Sequence, residues 1–267
     1  MNQYLRSSFC GLLLLGLLLM SCDLSGSNGS PELVKGPEVS VEGGGTAYAF
    51  TRLGSNGQPK SIGVALSEAG YESLTDTSDA HAKSSPSAKH DGPASLELDL
   101  PEDAPVPYDH ATIDWWPEGH PPPNVYTVPH LDAHFYLISK DKRDAIEPGP
   151  AQTFPADEYV PEGYVADSAN VPGDGMHYLN MNAPEFNGQA FTHTFIYGFY
   201  QGEPSFIEPM ASAEFLSSKS DMTTTVPQPE AYKRTGMYPE RYRVTFNEEV
   251  QEYRVILEGL VRKEGAS

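Results

Sequence analysis

The chain of 267 residues carries 37 acidic against 17 basic side chains, a formal net charge of −20 at neutral pH. That balance disfavours nucleic acid and anionic lipid surfaces as partners and suits a solvated, mutually repulsive exterior. The two cysteines, Cys10 and Cys22, both lie near the start, so the remainder has no disulfide and no thiolate ligand and must be held together by a core.

Residues 1–22 read as a secretory signal. Arg6 is their only charge, and the apolar run 9–20 is about 12 residues long, short of the roughly 20 needed to span a bilayer. The segment closes on Leu19-Met20-Ser21-Cys22, which resembles the lipobox of bacterial lipoproteins. That resemblance implies cleavage before Cys22, acylation of Cys22, and attachment by lipid to a membrane of the cell envelope on its extracytoplasmic side. Residues 23–45, rich in Gly, Ser and Pro, are expected to be a flexible tether.

From 46 to 262 the pattern predicts a single mainly-β domain, an antiparallel sandwich or barrel with a few short helices. Runs 46–53 and 60–66 flank a Gly/Asn turn and read as a hairpin. Ser67 is placed to cap a helical turn reaching 74. Residues 75–94 are almost devoid of apolar side chains and predict a disordered insertion, with His81 and His90 as bystanders. Strands are expected at 96–100 and 111–116, followed by an extended connection through Pro121, Pro122 and Pro123. Trp115 and Trp116 are adjacent, so on a strand they face opposite ways and at least one belongs to a core. A short capped helix is expected over 139–146, and loops from 147 to 175. Two further hairpins pair 191–200 with 205–208, and 242–246 with 253–257.

The stretch 130–138 carries the chemistry. As a helix it would put His130 and His134 one turn apart, but its alternation is complete: Leu131, Ala133, Phe135 and Leu137 form one face, and His130, Asp132, His134 and Tyr136 the other. Strand is the better reading. On a strand His130 and His134 stand about 13 Å apart and cannot share one ion, whereas His130 with Asp132, or Asp132 with His134, can. Further ligands must come from elsewhere: His177 in a Gly-rich turn, Glu208 near a strand end, His120 before the proline run, or His193 on its strand. Such nitrogen and oxygen donors facing a barrel interior would suit zinc, iron or manganese.

Two family resemblances follow from these motifs. His130-Leu-Asp-Ala-His134 with Pro172-Gly-Asp-Gly-Met-His177 loosely resembles the paired metal motifs of cupins, though both spacings differ from the cupin pattern. Gly119-His-Pro-Pro-Pro123, Val128-Pro-His-Leu-Asp-Ala-His-Phe-Tyr136, Gly175-Met-His-Tyr178 and Phe206-Ile-Glu-Pro-Met210 are similar to a family of uncharacterised exported bacterial proteins. That similarity implies that His130, Asp132, His134, His177 and Glu208 belong to one shared design, and it supplies no activity. The chain lacks a Gly-x-Ser-x-Gly elbow, a phosphate-binding Gly loop and an HExxH helix, so no catalytic residue is named. Three readings stay open: a divalent-metal or small-ligand site, a structural or homo-oligomeric envelope protein whose polar cluster is a hydrogen-bonded network, and a glycan-binding module.

Overall fold

The computed structural model describes Met1 and residues 31–76, 93–102, 104–167 and 169–266. The leader with Cys22 and most of the 75–94 insertion, including His81 and His90, lie outside the described residues.

Two seven-stranded antiparallel sheets form the body. The first opens with β1 (Glu32–Lys35), β2 (Val39–Ser40), β3 (Thr46–Leu53) and β4 (Pro59–Ser67). Helix α1 (Glu68–Thr75) precedes the second sheet, which receives β5 (Ala94–Asp99), β6 (His110–Trp116) and β7 (His130–Tyr136). Helix α2 (Lys140–Asp144) and a small ribbon of β8 (Gly149–Pro150) and β10 (Ala169–Asn170) occupy the following loops. Strands β9 (Tyr164–Ala166), β11 (Met176–Asn180), β12 (His193–Tyr200) and β13 (Glu203–Ser212) complete the second sheet. After α3 (Ala213–Ser217), the chain returns to the first sheet with β14 (Met222–Thr225), β15 (Gly236–Asn247) and β16 (Glu252–Lys263).

Period-two patterning explains the layering. Leu131, Ala133 and Phe135 of β7 enter the core between the sheets, where they join Ile62 and Val64 of β4 and Leu257 of β16. The second sheet runs β5-β6-β7-β13-β12-β11-β9, with open edges, so the fold is a sandwich and not a closed barrel. Strand β7 lies well inside that sheet, between β6 and β13, and all seven of its residues are buried.

Ser67 caps α1 as its position suggests. Its hydroxyl oxygen accepts from the Gly70 amide at 3.1 Å and from the Thr46 amide at 2.9 Å, tying the helix start to β3. Replacing a capping serine by alanine costs about 1–2 kcal/mol. Ser67→Ala is therefore expected to lower the urea midpoint by that equivalent, with an unchanged slope; an unshifted midpoint would contradict the capping role.

Four expectations need correction. The stretch read as tether to residue 45 is already sheet from Glu32, with Leu33 opposite Arg52 and Val39 opposite Ala47; two short strands were hidden in a Gly/Pro-rich composition. The proline run does not extend. The Pro122 carbonyl accepts from the Val125 and Tyr126 amides, and the His120 amide donates to the Tyr126 carbonyl, so the segment folds back on itself. Gly119, at φ +71°, makes that return possible, since a Cβ there would stand 2.1 Å from the Tyr126 carbonyl oxygen. Strand β13 continues through Pro209 to Ser212, which puts Glu208 in mid-strand and not near an end. Strands β15 and β16 likewise run past Pro239 and Gly259, which face each other's strands at the far end of the hairpin.

Candidate metal centre

The face of the second sheet turned away from the sandwich core is where the polar residues gather, and this replaces the expected barrel interior. Alternation puts His110, Thr112, Asp114 and Trp116 of β6 on that face, beside His130, Asp132, His134 and Tyr136 of β7. The register pairs Thr112 with His134, Asp114 with Asp132, and Trp116 with His130. On the other flank Phe206 lies opposite Tyr136 and Met210 opposite Asp132, which sets Glu208 beside His134. Farther across, Ile196 pairs with Glu208, and His177 of β11 pairs with Gly198. Tyr126 and Phe191, from loops 117–129 and 183–192, pack on this face in a second apolar cluster with Ile196 of β12 and Phe206 and Met210 of β13. Under it His130, Asp132, His134 and Glu208 keep 0, 2, 5 and 1% of their surface exposed.

The structure divides these residues into two groups, each able to hold a metal ion. The first comprises His120, His130 and Asp132. His120 Nδ1 lies 2.7 Å from the Pro121 carbonyl oxygen, and His130 Nδ1 lies 2.7 Å from that of Val128. A carbonyl can only accept, so both Nδ1 atoms carry the proton and both Nε2 atoms are left as the metal-binding nitrogen. Those Nε2 atoms face the same carboxylate: His120 at 3.4 Å from Asp132 Oδ2, His130 at 3.3 Å from Asp132 Oδ1. A cation about 2.1 Å from each donor sets tetrahedral donors roughly 3.4 Å apart, longer than a good hydrogen bond and equal to what is found here.

The second group comprises His134, Asp174 and His177, with Glu208 alongside. Asp114 Oδ2 lies 3.0 Å from His134 Nδ1 and also accepts from the Thr112 hydroxyl at 2.6 Å. This fixes the imidazole and turns its Nε2 toward Glu208 Oε1, 3.4 Å away. Glu208 Oε2 stands 3.9 Å from His177 Nε2. The Tyr136 hydroxyl donates to Asp174 Oδ1 at 2.6 Å, and the Ser205 hydroxyl holds the Asp174 backbone carbonyl at 2.8 Å. A carboxylate behind a histidine, as Asp114 stands behind His134, is the usual support of a metal-ligating imidazole.

The hydrogen bonding of the face is incomplete in a telling way. Seven buried side-chain polar atoms among the described residues have no hydrogen-bond partner. Five of them are His130 Nε2, Asp132 Oδ1, His134 Nε2, His177 Nδ1 and Glu208 Oε2. Buried polar groups are ordinarily satisfied, so a concentration of exceptions at one place calls for a ligand.

The electrostatics point the same way. Burial opposes charge on His134, but the carboxylates of Glu208, Asp174 and Asp114 outweigh it and hold the imidazole pKa well above the ordinary value. For His120, too, burial is overcome by Asp132, and the pKa is raised. Burial pushes the Glu208 carboxyl well up, with His134 pulling against it and Asp132 and Asp174 adding to it. Asp132 is lowered: burial resists, and His130 and His120 prevail. His130 is lowered because burial dominates. Among the described residues no lysine or arginine pairs with Asp114, Asp132, Asp174 or Glu208; the nearby Arg143 is engaged by Glu97, Asp144 and His110.

Of the residues singled out from sequence, His120 joins His130 and Asp132, while His134, His177 and Glu208 come together elsewhere on the same face. The predicted set thus belongs to two groups and not to one. His193 is not part of either; its Nδ1 meets the Tyr242 hydroxyl at 2.8 Å. Trp115 is core, and Trp116 sets its ring edge-on to His120 at 5.0 Å. Asp114, Thr112 and Asp174 were missed. The alternation His110-x-Thr-x-Asp-x-Trp116 on β6 held the signal for the first two, and the Gly-Asp-Gly before His177 held it for the third. An apolar cleft lined by Tyr159, Tyr197, Tyr232 and Tyr238 lies elsewhere, and none of the candidate ligands lines it. Comparison with protein-family models, with curated proteins and with solved structures gives no match.

Proposed function

We propose that the protein is a lipid-anchored, extracytoplasmic domain that binds a divalent transition metal on the outer face of its second sheet. The observation that carries this reading is the set of five unpartnered buried donor atoms on one face. Three of the four imidazoles there have Nδ1 held by a backbone carbonyl or a carboxylate, leaving Nε2 as the free donor. A self-sufficient hydrogen-bonded network would have closed on itself; this one leaves imidazole nitrogens and carboxylate oxygens facing each other beyond good hydrogen-bond distance, an arrangement that a cation would satisfy. Nitrogen and oxygen donors in this mixture suit zinc, iron(II) or manganese. The lipid anchor at Cys22 supplies the location, and the acidic exterior keeps the domain dispersed. A bound ion would serve as a Lewis acid or as the seat of a small ligand.

The deciding measurement is the metal content of the full-length chain, purified without chelators, against His134→Ala. Stoichiometric metal in the parent and less in the variant is expected; a folded parent with none sinks the reading. Removing a carboxylate behind a ligating histidine costs roughly 10–100-fold in metal affinity. Asp114→Asn is accordingly expected to weaken metal binding by that factor in a competition titration with a chromophoric chelator, although Asp114 is not itself among the ligands. An unchanged affinity would show that His134 does not bind through Nε2.

A further inference from the structure

This inference rests on the metal reading above and goes beyond it in number and kind. The two groups lie side by side yet do not merge. His130 and Asp132 flank one position on β7, and His134 begins the next, with its partners lying on the far side toward β13 and β11. Asp132 gathers with His120 and His130 and not with His134, which gathers with Asp174 and His177. Each group has its own anchoring: the 117–129 loop brings His120 to the first, and the turn before β11 brings Asp174 to the second.

Charge counting accommodates two ions. Asp114, Asp132, Asp174 and Glu208 bring four negative charges to a face where three of them are almost fully buried. The four imidazoles that meet them are neutral when they ligate a metal, and no lysine or arginine pairs with these carboxylates among the described residues. With every carboxylate ionised and every imidazole neutral, one divalent cation leaves a net charge of −2 on this face, which protons on the unfilled group would have to balance. Two divalent cations bring the sum to zero.

The donor sets differ as well. Around His134 three side chains, His134, Asp174 and His177, form one group, and Glu208 stands beside it as a fourth, 3.4 Å from His134 and 3.9 Å from His177. Around Asp132 there are three, two histidines and one carboxylate. Four protein donors close a tetrahedral site, whereas two histidines and a carboxylate leave coordination positions for another ligand. His120 keeps 20% of its side chain exposed and His177 15%, so each group reaches solvent at one member, and the number of protein donors is what sets them apart.

We propose that this face holds two separate divalent cations of unequal kind. The one at His134, Asp174, His177 and Glu208 is fully ligated by protein; the one at His120, His130 and Asp132 takes water or a small anion as its remaining ligand.

The test uses the full-length chain in detergent, stripped with chelator, reloaded with cobalt(II) and freed of excess. Two cobalt ions per chain are expected. His120→Ala and His130→Ala should each retain one; His177→Ala should also retain one, but the other one. Azide is then added while the visible cobalt spectrum is recorded. It should alter the spectrum of the parent and of His177→Ala and leave that of His120→Ala unchanged. A parent that binds one ion, lost equally in His120→Ala and His177→Ala, overturns the two-centre inference while leaving metal binding intact. A parent that binds none overturns the metal reading itself. Azide acting on the cobalt that remains in His120→Ala, or failing to act on the parent, overturns the assignment of the open position. Circular dichroism of each variant identifies any loss of metal that comes from misfolding, and His120→Ala then decides alone.

Discussion

Loading the stripped protein with zinc or manganese is expected to raise its melting temperature by about 5–11 °C for each centre filled. A ligand that binds only the folded state, at a free concentration one hundred times its dissociation constant, adds about 2.7 kcal/mol to stability. A domain of this size shifts by roughly 2–4 °C per kcal/mol. The gain has a structural source beyond mass action. His130 Nε2 and Asp132 Oδ1 face each other at 3.3 Å with no hydrogen bond formed, and Glu208 Oε2 makes no hydrogen bond. Each such group carries its desolvation cost into the folded state. Differential scanning calorimetry with and without metal checks this, with a His130→Ala/His134→Ala double variant as the control. A shift of the same size in the double variant would place the ion elsewhere; no shift in the parent would remove the metal from the account.

The second large effect is a reversal of pH dependence between the two states. In the metal-free protein stability is expected to fall as pH rises above about 6.5. His134 has its folded pKa raised well above 6.5, with burial overcome by Glu208, Asp174 and Asp114. The proton on it therefore stabilises the fold fully below 6.5, and that contribution is lost as pH climbs through the folded value. His120 acts with the same sign. Glu208, raised from 4.5 mainly by burial, also binds a proton more tightly when folded and so also loses stability upward. The opposing groups have finished by then: Asp132, lowered from 3.8, loses its contribution only in acid, and His130, lowered from 6.5, is neutral in both states above that pH. With metal at a fixed free concentration the slope should change sign, because protons compete with the cation for the same Nε2 atoms and leave as pH rises. Urea midpoints at pH 6.5 and 8.5, with chelator and with buffered zinc, read both slopes. A chelated protein that gains stability toward pH 8.5 would contradict the protonation scheme.

The sheets were legible because alternation survives in single strands. Leu131, Ala133 and Phe135 against His130, Asp132 and His134 need no partner to be read, and the three hairpins announce themselves by Gly and Asn turns. What escaped was of two kinds. Short edge strands such as β1 have only Leu33 and Val34 to mark them, too few for a period to show. Proline and glycine misled where the sheet absorbs them: Pro209 sits in β13 opposite β12 and lets Glu208 keep its place beside His134. The site was half legible. Strand geometry alone excluded His130 and His134 from a shared ion, which the two groups bear out. The assignment of His120 to one group and His177 to the other depends on how loop 117–129 folds back and on which strands flank β7, and neither is written locally. Asp114 lay on a strand whose alternation was equally clear, but its aspartate becomes meaningful only when the register sets Thr112 opposite His134.

Strand β7 has a property that follows from being buried on both sides. Its apolar residues fill the sandwich core and its polar residues fill the covered outer face, so a slip of one residue against β6 or β13 would exchange the two sets completely. Hydrophobic patterning penalises that slip from one side. A cation penalises it from the other, since His130, Asp132 and His134 meet their partners only in the native register. A bound metal would in this way act as a proofreader of strand pairing, rewarding the correct alignment of the sheet at the moment the chain closes around it.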